Sequence, residues 1–375
     1  MSRLEYLLAS GLLRLVRLFF SRLPVRPDRV VLATARVSNL DGNLLHIHRA
    51  LRARHPDLEV VLLLEPYSYG LGGKLAYLVR LVRGMYHLQT ARLFVVDNAY
   101  LPIHVAPHRR TTRVVQVWHA AGALKHVGFD TTPPPVEPER TFLHRYYDAV
   151  VVSSEWTRMP YATALRTPIE RVLALGSPRT DFFFDAAALE AARRRVLAAN
   201  PSLAGRRVVL YAPTFRGRGG GKRAAPGIDA VRLRAALPAD HVLVLKTHPN
   251  LDPAATPAVG YDLVVDPAQE INELLALTDI LITDYSSSVV EFALLRRPII
   301  LLVGDLAEYE KDPGLYLDYG TEIIGTQVTD TDGIIEAIAT DDFDMSGYDA
   351  FIERQLGGSD GHASARVVEH FVGPG

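Results

Sequence analysis

Short apolar runs alternate with amphipathic segments along most of the chain. The runs are rich in valine, leucine and isoleucine and are bounded by polar residues, as buried strands are. In the first half they cover residues 28–35, 59–66, 91–100, 113–118, 148–154 and 170–181. In the second half they cover residues 206–215, 241–249, 261–266, 279–285 and 298–303. Helical patterns lie between many of these strands, so the sequence predicts two α/β halves, each with a parallel, doubly wound sheet.

Each half is expected to form a domain, because 375 residues are too many for one ordinary core. The predicted parts are an amphipathic helix at 1–27, an N-terminal domain at 28–200, a C-terminal domain at 201–350 and a helical tail at 351–375. Sheets of this kind bind ligands beyond the carboxyl ends of their strands. We therefore expect a ligand cleft between the two domains.

The first 27 residues have a helical pattern of their own. At about 100° per residue, one narrow polar arc holds Arg3, Ser10, Arg14 and Arg17. The opposite arc is apolar and holds Leu4, Leu8, Leu12, Leu15 and Phe19. The arginines make the segment too charged to span a bilayer, and no small-residue cleavage site follows it. We expect a helix lying on an anionic membrane surface; the alternative is a helix that packs on its own protein.

The amino-acid composition excludes several kinds of functional site. The chain has no cysteine, which excludes disulfides, thiolate metal sites and a cysteine nucleophile. Its formal net charge is −1, and 48% of its residues are apolar, as in an ordinary globular protein. With balanced charge and no basic strip interleaved with aromatic residues, we expect no nucleic-acid partner. No acidic cluster requires a metal, so no cofactor is predicted, and assistance by a divalent ion such as Mg²⁺ is left open.

Polar residues gather where predicted strands end. These positions are His119, Ser153 and Ser154, residues 213–216, residues 246–249 and residues 283–288. Because parallel strands place their carboxyl ends at one edge of a sheet, these side chains are candidates for ligand binding.

Residues 283–288 form the clearest candidate anion site. A helix is expected to begin near Ser287 or Ser288, so its free N–H groups would be available to a phosphate, with Ser286 and Ser287 as further donors. The structural alternative is a capping box between Ser288 and Glu291. Both interpretations are compatible if Ser288 caps the helix and the two preceding serines bind the ligand.

Two further strand ends carry cationic residues. Lys246 and His248 lie two residues apart and so point to the same side of an extended chain, where either could contact a diphosphate. A histidine satisfied at a strand end is the alternative for His248. Arg216 opens a glycine-rich loop, and an arginine in that place is often only solvated.

His119 is the candidate general base. It follows an apolar strand and precedes Ala120, Ala121 and Gly122, which leave room for a substrate. A histidine of ordinary pKa suits removal of a proton from a hydroxyl. Lys125 and the histidine after it could hold an anionic ligand nearby. The alternative is a buried histidine that donates a hydrogen bond to a carbonyl.

A set of ordered motifs resembles the CDP-glycerol glycerophosphotransferase family of teichoic-acid enzymes. The motifs, between about Val114 and Tyr319, are WHAAGALKHVGFD, LGSPRTD, YAPTFR, KTHP, ELLALTDILITDYSS and EFALLRRPIILL, and the ending SDGHASARVVEHF is also similar. The resemblance implies a GT-B fold of two Rossmann-like domains, with an acceptor-side N-terminal domain and a nucleotide-binding C-terminal domain. It also implies a peripheral position on the cytoplasmic face of the membrane.

The resemblance assigns roles to individual residues. His119 corresponds to the catalytic base and His248 to its phosphate-contacting partner. The residues implied to bind the donor are Thr214, Arg216, Lys246, Asp284, Ser286 and Ser287, with Asp284 ordering the turn rather than acting in catalysis. Gly122 and Lys125 lie on the acceptor side. The implied reaction moves glycerol phosphate from CDP-glycerol to a hydroxyl and releases CMP.

The form of the first motif favours one branch of the family. Polymerases commonly read WHGTPLK where this chain reads WHAAGALK, which is closer to the primases that act on an undecaprenyl-diphosphate-linked disaccharide. A poly(glycerol phosphate) polymerase and a ribitol-phosphate transferase share most of the motifs and remain alternatives. A UDP-sugar glycosyltransferase of GT-B fold is a further alternative, and a non-catalytic membrane scaffold is another. The sequence leaves the oligomeric state open.

Overall fold

The fold is described from a computed structural model. It describes residues 3–64, 71–132, 134, 143–217, 223–225, 227–248, 258–266 and 269–374. The chain divides into two compact units: unit 1 comprises Met1–Asp181 and Arg354–Gly375, and unit 2 comprises Phe182–Glu353. The sequence placed the boundary near residue 200, later than this division, and treated residues 351–375 as a separate tail. Most of those residues belong to unit 1.

Unit 1 is built on a six-stranded parallel sheet of order β2-β1-β3-β4-β5-β6. Its strands are Arg26–Thr34, Glu59–Leu64, Ala91–Val96, Arg113–Gln116, Ala149–Val151 and Val172–Leu173, numbered β1 to β6 in chain order. The sheet is apolar on both faces, as parallel sheets are when helices cover them. Leu44 and Leu51 of one helix and Val367 and Phe371 of the last helix belong to the same hydrophobic core as Val30.

Unit 2 repeats the pattern with a parallel sheet of order β11-β10-β7-β12-β13-β14. Its strands are β7 Arg207–Tyr211, β10 His241–Lys246, β11 Leu263–Val265, β12 Ile280–Thr283, β13 Ile299–Leu302 and β14 Thr326–Val328. A separate antiparallel hairpin joins β8 Phe215–Arg216 to β9 Arg223–Ala224. Val209, Leu243, Ile282 and Ile300 form the centre of the core under helix Thr331–Thr340.

The helices of the described residues are numbered in chain order. In unit 1 they are α1 Arg3–Phe20, α2 Gly42–Arg54, α3 Leu71–Thr90, α4 Leu101–Val105 and α5 Arg158–Ala164, with α13 Ala363–Val372 at the end of the chain. In unit 2 they are α6 Ala186–Ala199, α7 Ala230–Ala236, α8 Ile271–Leu277, α9 Ser288–Ala293, α10 Leu306–Lys311 and α11 Thr331–Thr340. The remaining helix, α12 Tyr348–Leu356, contains the division between the units.

The two parallel sheets confirm the predicted fold class. Across the described residues, no helix is both long enough and apolar enough to cross a membrane. Helix α1 packs on α3 and α4. Its buried face consists of Tyr6, Ala9, Ser10 and Leu13. The predicted polar arc borders this face, where the guanidinium groups of Arg14 and Arg17 donate to the backbone carbonyls of Val105 and Pro107.

Candidate functional site

The first group of predicted residues lies at the carboxyl edge of the unit 1 sheet. Strand β4 pairs with β3 on one side and β5 on the other, all parallel, so the residues that follow these three strands come together. They are Asp97 after β3, His119 after β4 and Ser153 after β5. The predicted gathering of polar side chains at this edge is therefore present.

His119 is held in one orientation and one tautomer. Its Nδ1 lies 3.0 Å from the backbone carbonyl oxygen of Asp97, which can only accept, so Nδ1 carries the proton. The Nε2 lone pair is then available to accept a proton, as a general base requires. The ring also stacks on Trp118, with 4.7 Å between ring centroids. His119 therefore makes the carbonyl hydrogen bond of the structural alternative and also has the geometry that a general base requires.

The chain turns sharply before His119, earlier than predicted. The strand ends at Gln116 rather than at Trp118, whose backbone has a φ of +51°. A left-handed tryptophan is sterically unfavourable. Two hydrogen bonds of 2.9 Å from the Asn43 side chain to the carbonyl oxygens of Val117 and Trp118 hold it. Asn43 was not predicted as a site residue.

Burial and nearby cations keep His119 neutral. Burial lowers its pKa to about 3, and the charges of Arg36, Arg179 and Lys125 act in the same direction. The hydrogen bond to the Asp97 carbonyl opposes them by favouring the protonated ring. At neutral pH the ring is therefore uncharged. An anionic substrate phosphate beside the ring would raise this pKa and strengthen the base.

The segment after His119 is fixed by distant parts of unit 1. Gly122, at φ +67°, donates its N–H to Ser153 Oγ at 3.1 Å and accepts from the Tyr161 hydroxyl at 3.0 Å. The N–H of Ala123 donates to Oε1 of the fully buried Gln355 at 2.7 Å. Gly122 is buried, so this geometry makes it a turn residue. Lys125, predicted on the acceptor side, is half-buried.

Arg179 is another site residue that the sequence did not single out. Its Nη1 donates to the carbonyl oxygen of His119 at 2.6 Å, and its backbone N–H donates to the Asn43 side chain at 2.9 Å. It belongs to the LGSPRTD motif, which was noticed as a motif without a role for its arginine. Asn43 and Gln355 lie far from His119 in sequence and carry no local signal.

The second group lies at the carboxyl edge of the unit 2 sheet. Strand β7 pairs in parallel with β10 and β12, and Tyr211 aligns with both Leu245 and Ile282. The residues that follow these strands are therefore neighbours. The structure brings together Thr214, Arg216, Lys246, His248, Asp284, Ser286 and Ser287 at this edge.

Lys246 carries its positive charge at a largely buried position. It is only 6% exposed, and burial lowers its pKa, while the charges of Glu270 and Asp266 act to raise it. His248, two residues on, is half-buried and meets the Phe215 ring edge to face, with centroids 4.7 Å apart. A largely buried ammonium group beside a histidine is suited to hold the phosphates of a ligand.

The serine turn differs in detail from the predicted capping box. Helix α9 begins at Ser288, and the N-cap position is Ser287, whose side chain makes no capping hydrogen bond. Instead, Ser286 Oγ accepts from the N–H of Ser288 at 3.2 Å and lies 2.8 Å from Ser288 Oγ. The proposed Ser288–Glu291 capping box is therefore absent from α9. Ser286 and Ser287 are half-buried, while Ser288 is buried.

Arg216 is held by two carboxylates. Its Nε and Nη2 donate to Asp305 at 2.7 and 3.1 Å, and its Nη1 donates to Asp284 at 2.9 Å. Asp284 also accepts from the backbone N–H and the hydroxyl of Thr214, at 2.9 and 2.7 Å. This network ties the end of β7 to the turn after β12. Asp284 thus orders the turn, and most donors of Arg216 are already used.

The architecture and the two polar edges define the class of protein: an α/β protein with the GT-B fold and with candidate chemistry at the strand ends of both units. Within that class, the chain belongs to the CDP-glycerol:poly(glycerophosphate) glycerophosphotransferase family, whose model matches residues 15–373. It is therefore a transferase of the teichoic acid primase and polymerase family.

Individual relatives differ in the polyol that their names carry. The chain is 33% identical to the teichoic acid ribitol-phosphate primase of Bacillus spizizenii over 362 residues, which is 94% of this chain and 93% of that protein. It is 28% identical to the teichoic acid glycerol-phosphate primase of Bacillus subtilis over 297 residues, 77% of this chain and 76% of that one.

A solved structure supports the fold. The wall teichoic acid polymerase TagF, as a histidine variant soaked with CDPG, superposes with a TM-score of 0.77 at 20% identity. The match covers 97% of this chain and 93% of that chain. At that identity the likeness establishes architecture alone.

Proposed function

We propose that this protein transfers a polyol phosphate from a CDP-linked polyol to a hydroxyl of an undecaprenyl-diphosphate-linked disaccharide, releasing CMP. The observation that carries the proposal is the similarity to a primase along 94% of the chain. The orientation of His119, with Nε2 available as a base, agrees with it.

In the proposed reaction, the acceptor oxygen attacks the β-phosphorus of the donor. His119 Nε2 takes the hydroxyl proton as the new P–O bond forms. The bond between the β-phosphorus and the bridging oxygen breaks, and CMP leaves with the bonding electrons. Lys246, His248 and the turn at Ser286 and Ser287 hold the phosphate oxygens, where fixed donors and charges stabilise the transition state most. Thr214, Arg216 and Asp284 position that turn.

Two donors are supported by different observations. The motifs resemble those of CDP-glycerol enzymes, and the family is named for that donor. The identity to a ribitol-phosphate primase is higher and covers more of the chain than the identity to a glycerol-phosphate primase. CDP-ribitol is therefore the second candidate donor.

The deciding experiment is CMP release from CDP-glycerol, CDP-ribitol and a UDP-sugar, each with a lipid-linked disaccharide acceptor. Turnover of one CDP donor that stops after a single addition supports a primase with that donor. Continued addition would make the protein a polymerase. Absence of CMP release from both CDP donors contradicts the proposal.

Loss of the Lys246 charge should weaken donor binding. For Lys246→Met, which keeps the length of the side chain, we expect the Kd of the CDP donor to rise about ten- to a hundredfold, the range for losing a hydrogen bond to a charged group. The measurement is calorimetric titration without acceptor. Lys311→Met removes an exposed lysine of the same unit and should bind normally. Equal affinity in both variants would remove Lys246 from the donor site.

We also propose that the protein is peripheral on the cytoplasmic face of the membrane, held by α1. Because α1 packs through the face of Tyr6, Ala9, Ser10 and Leu13, most of its predicted apolar arc is turned outward. Leu4, Leu8, Leu15 and Phe19 are each about two-thirds exposed, and Leu75 and Val79 of the adjoining α3 are exposed as well. A contiguous exposed apolar face of this kind marks an interaction surface.

The double substitution Leu8→Asp, Leu15→Asp should release the protein from membranes. Burying one leucine contributes about 1.5–3 kcal/mol, so the loss of two should reduce vesicle binding by at least about a hundredfold. Co-sedimentation with phosphatidylglycerol vesicles measures it. Val259→Asp, at an exposed apolar position of unit 2, is the matched control and should still bind. Unchanged sedimentation of the double variant contradicts attachment through α1.

A further inference from the structure

A cavity of unit 1 that the proposed mechanism does not use is lined by arginines and aromatic rings. Its volume is about 470 Å³, and Arg145, Arg166 and Arg171 lie around it together with Phe129 and Tyr146. The guanidinium of Arg166 lies over the Phe129 ring, 3.6 Å from its centroid. We call this the arginine cavity. Its combination of cations and flat apolar rings suits a ligand that carries both anionic groups and sugar rings.

A second cavity adjoins the first and reaches helix α1. Its volume is about 530 Å³, and it is lined by Arg14, Arg17, Leu15 and Leu18 of α1 and by the chain at Val105–Pro107. Arg145 and Tyr146 line both cavities, so the two are neighbours. Leu15 and Leu18 are also part of the exposed apolar face of α1. One end of the combined site is therefore apolar and the other is polar. We call the second cavity the helix cavity.

The charged side chains of the described residues that line the two cavities are all cationic. Among the described residues that line them, the charged side chains are the arginines Arg14, Arg17, Arg145, Arg166 and Arg171, and none is a carboxylate. Like charges repel when they are gathered in this way. An anion between them removes the repulsion, and guanidinium groups match phosphate oxygens with paired hydrogen bonds.

Backbone strain is concentrated at the arginine cavity. Six described non-glycine residues have a positive φ. Three of them, His144, Tyr146 and Arg166, line this one cavity. Such conformations cost free energy and tend to occur where a ligand is held. A general packing defect would not be expected to gather them around one space.

The arginine cavity is connected to the proposed base by a short series of aromatic rings. His144 lines the cavity and meets Trp118 edge to face, with ring centroids 5.9 Å apart. Trp118 in turn stacks on His119. A ligand whose charged group lies at Arg145 could therefore extend its next groups along these rings toward His119 Nε2.

We propose that the two cavities together bind the diphosphate of a prenyl-type lipid. The diphosphate lies at Arg145, with Arg17 and Arg171 on either side, and the prenyl chain leaves along Leu15 and Leu18 toward the membrane. This inference rests on the proposed function, since it names where the lipid-linked acceptor is held. The sugars of that acceptor would then occupy the arginine cavity, with the reacting hydroxyl at His119.

The test is calorimetric binding of farnesyl diphosphate to the full chain, compared with inorganic diphosphate and farnesol. We expect farnesyl diphosphate to bind more tightly than either of the other two, because only it carries both the charge and the chain. Arg145→Gln and Arg171→Gln should each weaken its binding about ten- to a hundredfold. Arg54→Gln, an exposed arginine of unit 1 outside both cavities, should bind like the wild type.

Four results would overturn the proposal. They are no binding of farnesyl diphosphate, equal binding of farnesol, equal binding of inorganic diphosphate, and unchanged affinity in both arginine variants. Equal binding of inorganic diphosphate would leave a site for free phosphate compounds and no lipid site. Both arginines are exposed, so the variants should fold, and their thermal unfolding verifies it.

Failure of this inference can be told from failure of the proposed function, because the titration uses no CDP donor and no turnover. If CMP release proceeds normally and farnesyl diphosphate does not bind, the acceptor is held elsewhere. If farnesyl diphosphate binds as expected and no CDP donor reacts, the lipid site remains and the transfer reaction is wrong.

Discussion

Replacing His119 with alanine should lower kcat about 10²–10⁴-fold, the usual contribution of a positioned general base. The Kd of the CDP donor should change little, because the imidazole is proposed to act on the acceptor hydroxyl. The hydrogen bond from His119 Nδ1 to Asp97 leaves Nε2 as the working nitrogen, and alanine removes it. Single-turnover CMP release measures the chemical step, and donor titration measures binding.

The control for this variant is His48→Ala, which removes a half-buried histidine of α2. It should keep wild-type kcat. If His119→Ala also keeps a rate within about tenfold of the wild type, well below the usual effect of losing a base, His119 is a structural histidine. A large loss of donor affinity with an unchanged kcat would place His119 at the donor and equally contradict the proposed role.

The dependence of kcat/KM on pH tests the role of His119 independently. Because the pKa of His119 is lowered to about 3, its ring is neutral in the free enzyme at neutral and mildly acidic pH. Protonation of His119 would therefore reduce kcat/KM only well below pH 5, whereas an ordinary histidine would reduce it near pH 6.5. If kcat/KM falls near pH 6.5 and the substitution of another residue abolishes that fall, the titrating group is not His119.

The sequence was sufficient for most strands of the two parallel sheets. Buried parallel strands are continuous apolar runs, so the strands of both cores were predicted, although β4 ends earlier than expected. Strand β14 was missed because its three residues, Thr326–Val328, are only partly buried. Helix α6 is rich in alanine and arginine, and among its residues only Ala192 and Val196 are buried. Such a helix has little apolar periodicity to detect.

The polar edges of the two sheets show the same division between local and distant information. His119, Lys246 and the serine turn could be found because each lies at or shortly after the end of an apolar strand. Their supports could not be found, because Asn43 reaches Trp118 and Gln355 reaches Ala123 across long stretches of sequence. Only tertiary folding makes those pairs neighbours. The polar residues predicted to touch the ligand are therefore better determined by sequence than those that position them.

Helix α1 shows why amphipathicity does not by itself say which face packs. The predicted apolar arc would be the packed face if α1 were an ordinary surface helix. Here the buried face, Tyr6, Ala9, Ser10 and Leu13, lies beside the polar arc and partly within it, and backbone carbonyls near the end of α4 accept hydrogen bonds from Arg14 and Arg17. The surface that α1 packs on is supplied by α3 and α4, and no pattern within residues 1–27 reveals it.

In unit 2, removal of Arg216 should lower the stability of the fold, because Asp284 and Asp305 would lose their cationic partner. Arg216, Asp284 and Asp305 are largely buried, with side chains 11%, 4% and 21% exposed. Arg216→Met keeps apolar volume but removes both ion pairs, and we expect it to lower the free energy of unfolding by about 3–5 kcal/mol. Chemical denaturation measures this loss. Arg223→Met, at the exposed position paired with Arg216 in the β8–β9 hairpin, should change stability little.

Two further comparisons separate charge from packing in this loss. Neutralising the carboxylates as well, in Arg216→Met, Asp284→Asn, Asp305→Asn, should restore part of the stability, because no orphaned charge remains. Burial would raise the pKa of Asp305, yet the hydrogen bonds and charge of Arg216 and the Tyr285 hydroxyl lower it overall. Its stabilisation is thus present above the ordinary aspartate pKa and lost as pH falls through the lower folded value. The difference between wild type and Arg216→Met should therefore shrink in acid; a difference independent of pH, with no recovery in the triple variant, would mean that Arg216 acts through packing alone.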